Sequence, residues 1–329
     1  MSEVPSDMAV VEMREAGGPD VLVAARRSVP ETASDEVLIK VAAAGVNGPD
    51  LMQRRGLYPP PKGASDLLGL EVSGEIVATG ADVEGFAVGD QVTALTNGGG
   101  YAEFVPVHAG HVLPLPAGVA LVDAGGLCET YFTVWSNIFM GAGLTAGETL
   151  LVHGGAGGIG STAIQLGKAF GAKVIATESP ADRCDFCRAL GADIVVDYAT
   201  EDFVEVVREA GGADVILDIV GGETIAKNMK AASHDARIVQ LAFNAGSKVE
   251  INLMPVMLKR LTYTGSTLRS RPDAFKTEVA RQLRETVWPR FADGQPKPVT
   301  SATFPLAEAG QAHTLMEAAT HQGKILLKP

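Results

Sequence analysis

The residues best equipped for chemistry form one run, His153-Gly154-Gly155-Ala156-Gly157-Gly158-Ile159-Gly160. It lies between an apolar, strand-like stretch from Glu148 to Val152 and a helix-like stretch from Ser161 to Phe170. Read as Gly155-x-Gly157-x-x-Gly160, the spacing supplies a tight turn, close backbone approach to a pyrophosphate, and close packing of helix on strand. The helix N-terminus then faces the phosphate charge. Ala156, Gly158 and Ile159 complete this expected cofactor-binding loop. A glycine loop alone also closes ordinary turns, but strand, loop and helix in this order make a dinucleotide pocket the better reading.

An acid at the end of the next strand would hydrogen-bond the adenosine ribose hydroxyls and repel a 2′-phosphate. Glu178, closing Lys173-Val174-Ile175-Ala176-Thr177-Glu178, stands there, with a solvated loop acid as the alternative. Arg183 follows in the first turn of the next helix, placed to pair with a 2′-phosphate, with Glu178 itself, or to face water. The pair leans toward NADH and leaves NADPH open. Phe243 and Asn244 follow the strand Ile238 to Ala242 at its carboxyl end, where open α/β sheets bind ligands, so they are expected beside the nicotinamide.

The elements that position these residues follow from the pattern of the chain. From Met8 to about Val122, short β-like runs (Glu36 to Ala42, Leu70 to Ala78, Gln91 to Ala94, Tyr101 to Pro106) alternate with Gly, Pro and Asp, as in an irregular antiparallel domain. From about Asp123, helical and apolar strand-like segments alternate, as a doubly wound parallel sheet requires. After Thr267 a helix is expected from about Asp273 to Phe291, and a last strand Ile325-Leu326-Leu327 returns to the first domain. The expected division is residues 1–123, a dinucleotide-binding domain at 124–267, and a C-terminal return at 268–329. A chain of 329 residues exceeds the usual size of one core, in keeping with two domains.

Composition excludes other classes. The formal charge of −12 opposes nucleic acid or an anionic membrane as partner, because phosphate binding draws on clustered Lys and Arg. Apolar runs break well before the ~20 residues a membrane span needs, and no basic, apolar, small-residue leader opens the chain. A cytoplasmic location is the expectation. Cys128, Cys184 and Cys187 suit a reducing compartment; Cys184 and Cys187 read as half-buried helix residues rather than a metal or redox pair. His108 and His111 lie in a Pro- and Gly-rich turn with no paired acid nearby in sequence and read as structural.

Several blocks in order resemble the medium-chain dehydrogenase/reductase superfamily, and within it the zinc-independent NAD(P)H:quinone oxidoreductases. They are Ala44 to Gly56, Leu68-Gly69-Leu70-Glu71-Val72-Ser73-Gly74, Glu129-Thr130-Tyr131-Phe132-Thr133-Val134-Trp135, the glycine loop, and Leu268-Arg269-Ser270-Arg271. The resemblance covers nearly the whole chain. It implies an α/β protein with a GroES-like, mostly β catalytic domain and a Rossmann domain, forming a homodimer through the Rossmann sheet edge at Leu261 to Gly265. Zinc relatives carry a catalytic Cys near the position of Asn47 and a His where Leu70 stands, so the resemblance implies no zinc. Without a Lewis acid, the substrate must bring its own electrophilicity, as quinones and α,β-unsaturated carbonyls do.

The resemblance also assigns residues. Asn47 and Thr133 are implied at the nicotinamide side of the catalytic site, and Tyr58 at the substrate mouth, unless it merely anchors its loop. Tyr198 is implied at the adenosine end, against partial core burial as the bland reading. Arg269 and Arg271 either reach the pyrophosphate or are surface charge, and Asp50 orders a water or caps a helix. The implied activity is NAD(P)H-dependent quinone reduction. The alternatives are an enoyl or alkenal double-bond reductase, and a non-catalytic, crystallin-like or RNA-binding cofactor protein. Relatives commonly have a small residue where Glu178 stands and bind NADPH, so this position departs from the family.

Overall fold

The structure, a computed structural model, describes residues 4–329. The chain forms two compact units, one running to Phe132 and resuming as Arg269–Pro329, the other spanning Thr133–Leu268.

In the first unit β1 (Asp7–Met13) and β2 (Leu22–Ser28) make an antiparallel hairpin. β3 (Glu36–Val46) leads into α1 (Gly48–Arg54), and β4 (Glu71–Thr79), β5 (Gln91–Leu95), β6 (Phe104–His108) and β7 (Val112–Pro114) follow. A 3₁₀ turn at Asp123–Gly126 precedes α2 (Cys128–Val134), within which the chain passes from the first unit to the second. The change of texture read near Asp123 marks that turn. It stays with the first unit: Gly125 lies against Ala43, where a Cβ would come within 2.8 Å, and Gly126 lies close to Lys324 and Leu326.

The second unit alternates strand and helix: β8 (Thr149–His153), α3 (Gly158–Ala169), β9 (Lys173–Glu178), α4 (Ala181–Ala189), β10 (Ile194–Asp197), α5 (Phe203–Glu209), β11 (Ala213–Asp218), α6 (Thr224–Ala231), β12 (Ala232–Gln240), α7 (Met254–Lys259) and β13 (Thr262–Gly265). Its six strands are all parallel, in the order β10-β9-β8-β11-β12-β13. Helices cover both faces of such a sheet, so the central strands are apolar throughout rather than alternating; all five residues of β8 are buried. Leu151, Ile175, Ile216 and Ile238 from four neighbouring strands form the centre of this core with Phe203 and Met229.

The chain then returns to the first unit as α8 (Asp273–Gln282), β14 (Thr300–Pro305), α9 (Ala309–Glu317) and β15 (Lys324–Lys328). The helix expected to run to Phe291 keeps α-helical form only to Gln282, then widens and tightens in successive turns to Asp293, the last of which begins at Trp288-Pro289. β15 lies between β14 and β3 in a seven-stranded sheet ordered β14-β15-β3-β4-β5-β7, with β6 also on β3. Only the β14–β15 pair in this sheet is parallel. Val37, Ile39, Val72, Val92, Ile325 and Leu327 form its core.

Candidate functional site

In the second unit the chain leaves β8 in the middle of the sheet, with β9 on one side and β11 on the other. This is the switch point at which a doubly wound sheet opens a crevice beyond its strand ends. The glycines of the loop have separate jobs there. Gly154, outside the motif as read, takes the left-handed backbone (φ +73°) that makes the turn. Gly155 lies on Ala176 and the thiol of Cys187, where a Cβ would approach that sulfur to 2.7 Å. Gly160 faces backbone: a Cβ would stand 2.1 Å from the Gly154 carbonyl oxygen and 2.6 Å from Gly155 Cα. Gly157 is the N-cap of α3 and is open, its nearest neighbour 3.8 Å from a built Cβ. No side chain caps that helix, so its first-turn amides keep donors for an anion, and the bare backbone at Gly157 lets one approach. The loop therefore fits a dinucleotide pyrophosphate.

Glu178 is buried at the end of β9 and is not a solvated acid. One carboxylate oxygen accepts from the Ala156 amide of the glycine loop at 2.8 Å and the other from Ser179 N at 3.1 Å. Arg183 Nε and Nη2 donate to it at 3.2 and 3.3 Å. Of the three partners open to Arg183 in the sequence, the structure shows Glu178. Tyr198 lies beside this pair, its amide donating to the Glu178 carbonyl at 3.3 Å, but its side chain is 58% exposed, which removes core burial as its explanation. Phe243 and Asn244 are exposed beyond β12, with Phe243 packed over Gly221. The glycine loop, Glu178, Arg183, Tyr198, Phe243 and Asn244 thus share the carboxyl edge of one sheet.

Beneath the loop, His153 is fixed between Thr177 Oγ1 (2.8 Å) and Asn228 Oδ1 (2.7 Å). Asn228 donates in turn to Asp218 at 2.8 Å, and Asp218 holds the amides of Val220 and Gly221. This buried chain ties two loop bases together, and no spacing in the sequence announces it. Cys184 and Cys187 are fully rather than half buried, Cys187 with its thiol against Gly155 of the glycine loop and Cys184 donating to the Glu178 carbonyl at 3.4 Å; burial pushes the Cys187 thiol up to about 12.

The first unit carries a buried polar cluster. Lys324 Nζ meets Glu71 Oε1 at 2.7 Å, Asn47 Oδ1 at 2.6 Å and the Val46 carbonyl at 3.1 Å. Asn47 Nδ2 donates to Glu71 at 2.9 Å and to the Gly45 carbonyl at 3.3 Å. The second Glu71 oxygen accepts from the Glu129 amide at 2.9 Å. Only glycine fits at position 45, where a Cβ would come within 2.1 Å of Glu71 Oε1. Of the two roles read for Asp50, the structure shows the cap: it accepts from the amides of Asn47 (2.9 Å) and Gly69 (3.0 Å). Burial raises its carboxyl to about 6. Leu70 is buried, and its hydrocarbon side chain offers no metal donor.

Of the two readings of Arg269, the structure removes surface charge. Its guanidinium is buried in the first unit on the Asn97 carbonyl (2.6 and 3.0 Å) and Gln53 Oε1 (2.6 Å), partners that offset the cost of burying a charge. Arg271 stacks 3.9 Å over the Phe275 ring. Tyr58 is half-buried with the Arg269 guanidinium 5.8 Å from its ring centre. Thr133, on α2, accepts Asn137 Nδ2 at its carbonyl, 2.9 Å away. His108 and His111 have acids that sequence distance hid, Asp35 at 3.7 Å and Asp273 at 3.5 Å. Among the described residues, no three His, Cys, Asp or Glu side chains group as metal ligands, and no helix is long and apolar enough to cross a membrane.

Comparison with known proteins accords with this geometry. Residues 33–117 match the alcohol dehydrogenase GroES-like domain family, and residues 158–285 match the zinc-binding dehydrogenase family. The quinone oxidoreductase of Mus musculus is 30% identical over 97% of both chains. The Escherichia coli quinone oxidoreductase, whose structure was solved with NADPH, superposes with a TM-score of 0.85 at 28% identity, covering 98% of this chain and 100% of the other. The CurK enoyl reductase superposes equally well, with a TM-score of 0.85 at 26% identity over 98% of this chain and 99% of that one. The chain belongs to the medium-chain dehydrogenase/reductase superfamily, as an oxidoreductase with a GroES-like β domain and a Rossmann-like domain.

Proposed function

We infer that this protein reduces quinones with a nicotinamide dinucleotide and without a metal. The observation that carries the reading is the carboxyl edge of the parallel sheet, where the open Gly157 backbone and uncapped α3 adjoin Glu178, Arg183 and Tyr198. A bound reduced nicotinamide would supply hydride. The chain's part is to hold the pyrophosphate on the α3 amides, the adenosine end against Glu178, Arg183 and Tyr198, and the nicotinamide side near Phe243, Asn244 and Thr133. In the first unit Asn47 anchors its own buried cluster, and Tyr58 offers a flat ring for a planar acceptor. Independence of zinc rests on residue types: Asn47 and Leu70 replace a thiolate and an imidazole. Alignment and hydrogen bonding to a developing oxyanion then account for the rate.

The test is steady-state oxidation of NADH and NADPH in the presence of a chelator, each with an ortho-quinone and with a simple enone. Turnover of the quinone is expected. Turnover of the enone alone would move the assignment to the double-bond reductase reading, which the CurK likeness makes the second choice.

Cofactor choice rests on Glu178. With its carboxylate at the glycine loop, a 2′-phosphate would meet a negative charge and an Arg183 already engaged. Glu178→Ala should free Arg183 and shift the ratio of NADPH to NADH affinity upward by about 1–3 kcal/mol, the usual worth of a charged hydrogen bond. Fluorescence titration with each dinucleotide measures it; an unchanged ratio removes Glu178 from the adenosine site.

A second copy of the chain is the proposed partner of the β13 edge. All four residues of β13 are exposed, Tyr263 among them at 41%, and Leu253, Met254, Met257 and Leu258 just before it in the chain are 53–67% exposed, an apolar surface preceding an edge strand. Sedimentation should show a dimer for the native chain and a monomer for Met257→Glu/Leu258→Glu. A native monomer would contradict the proposal.

A further inference from the structure

Beneath the glycine loop, the buried side chains Thr177, His153, Asn228 and Asp218 admit only one arrangement of their donors and acceptors. The Asp218 carboxylate requires a donor, so Asn228 turns its Nδ2 toward Asp218 at 2.8 Å and its Oδ1 toward the imidazole. His153 therefore carries its proton on Nε2, which donates to that oxygen at 2.7 Å. Its bare Nδ1 then accepts from the Thr177 hydroxyl at 2.8 Å. Burial holds the imidazole below its ordinary titration range, in keeping with a neutral ring.

Each end of this chain holds backbone amides of a different loop. At one end the Thr177 carbonyl accepts from the Gly154 and Gly155 amides at 3.1 and 3.2 Å, and Glu178 after it takes the Ala156 amide. At the other, Asp218 Oδ1 accepts from the amides of Val220 at 2.6 Å and Gly221 at 2.9 Å. That second loop is bound to the one after β12, which carries Phe243 and Asn244: the Ala245 amide donates to the Val220 carbonyl, and the Gly222 amide to the Gly246 carbonyl, both at 2.8 Å. Ile219 also rests on Gly154, an apolar contact that brings the loops together without directing either. Turning the Asn228 amide over would set its oxygen on a carboxylate and its NH₂ on the His153 donor, so the chain has no second arrangement of equal energy.

We propose that Thr177, His153 and Asn228 are positioning residues that couple the two halves of the dinucleotide site, so that filling the pyrophosphate half raises affinity for the nicotinamide half. The proposal rests on the dinucleotide reading above. A diphosphate on the α3 amides fixes the glycine loop, and the side-chain chain passes that order to Val220 and Gly221. The nicotinamide half then meets loops that are already ordered, which is positive cooperativity without a change of shape.

Two fragments test this on the intact protein. 5′-ADP supplies the adenosine and the diphosphate, and reduced nicotinamide riboside supplies the uncharged remainder, whose fluorescence reports its binding. The riboside is titrated with and without saturating 5′-ADP into the native chain, Thr177→Val and Thr177→Ser. Valine matches threonine in shape, suits a strand and lacks only the hydroxyl, whereas serine keeps it. Amide hydrogen exchange at Val220 and Gly221 is followed in the native chain and Thr177→Val with 5′-ADP alone.

In the native chain 5′-ADP should lower the riboside Kd at least about fivefold, the lower end of ordinary coupling between sites, and slow exchange at both amides. Thr177→Val should bring the ratio of the two Kd values close to one and abolish the slowing, and Thr177→Ser should restore the native ratio. Because the coupling is a ratio, a general loss of affinity in a variant does not imitate its loss. A native chain that binds NADH but shows equal riboside Kd values with and without 5′-ADP would overturn the coupling alone, as would a native ratio in Thr177→Val. A native chain that binds neither fragment nor the intact NADH and NADPH would overturn the dinucleotide reading and the coupling together.

Discussion

Gly160→Val unfolds the dinucleotide edge of the second unit, whereas Gly157→Ala leaves the fold intact and weakens only the cofactor. The contrast follows from what a side chain meets at each position. At Gly160 the Cβ lands 2.1 Å from the Gly154 oxygen and 2.6 Å from Gly155 Cα, so α3 must move away from the loop. Neither obstacle is a side chain that can turn aside. Overpacking costs about 1–3 kcal/mol where neighbours can adjust, and rigid backbone puts Gly160→Val at or above the top of that range. At Gly157 the nearest atom is 3.8 Å away and φ is −75°, so alanine is tolerated by the fold. Its methyl group would instead occupy the approach to the α3 amides. Thermal unfolding together with NADPH titration separates the two effects. Lowered Tm is expected for Gly160→Val, and native Tm with at least tenfold weaker binding for Gly157→Ala. Native affinity in Gly157→Ala would mean that no phosphate approaches this backbone.

Lys324→Met should lower the stability of the first unit by about 3–5 kcal/mol, the cost of leaving a buried charge without its partner. Glu71 is fully buried, and its carboxylate depends on Lys324, Asn47 and the Glu129 amide. Removing the ammonium strands that charge and orphans Asn47 Oδ1 as well. Adding Glu71→Gln to Lys324→Met should restore part of the loss, since a neutral amide no longer demands a cation. Gly45→Ala should mimic the single variant without changing any charge, because its Cβ would displace Glu71 Oε1. Denaturant unfolding of the three variants measures this. Equal stability of Lys324→Met and the native chain would show that the pair does not hold β15 to β3 and β4.

How much of this was legible in the sequence depends on the range of each interaction. The parallel strands were legible because burial on both faces writes continuous apolar runs such as Leu150-Leu151-Val152 and Val215-Ile216-Leu217. The glycine loop was legible because its requirements are local. Gly154 was missed because the motif begins one residue later, although the positive φ falls there. The β1–β2 hairpin left little trace, since its strands are covered on one face only and interrupted by Arg and Glu. The Glu71–Lys324 pair joins opposite ends of the chain through the return of β15 beside β3, so no spacing could signal it. Arg269 illustrates the same limit. Its type suited a phosphate, but the direction of its side chain is set by Gln53 and Asn97, far away in sequence.

The central claim is metal-independent hydride transfer from a nicotinamide bound at the glycine loop. Its most direct test is single-turnover oxidation of cofactor deuterated at C4 by chelator-treated protein with an ortho-quinone acceptor, followed by loss of the reduced-nicotinamide absorbance. The account predicts one equivalent of cofactor oxidised per quinone reduced, with a primary isotope effect on the single-turnover rate. Cofactor that binds but is not oxidised by the quinone, or oxidation that requires added zinc, would contradict it.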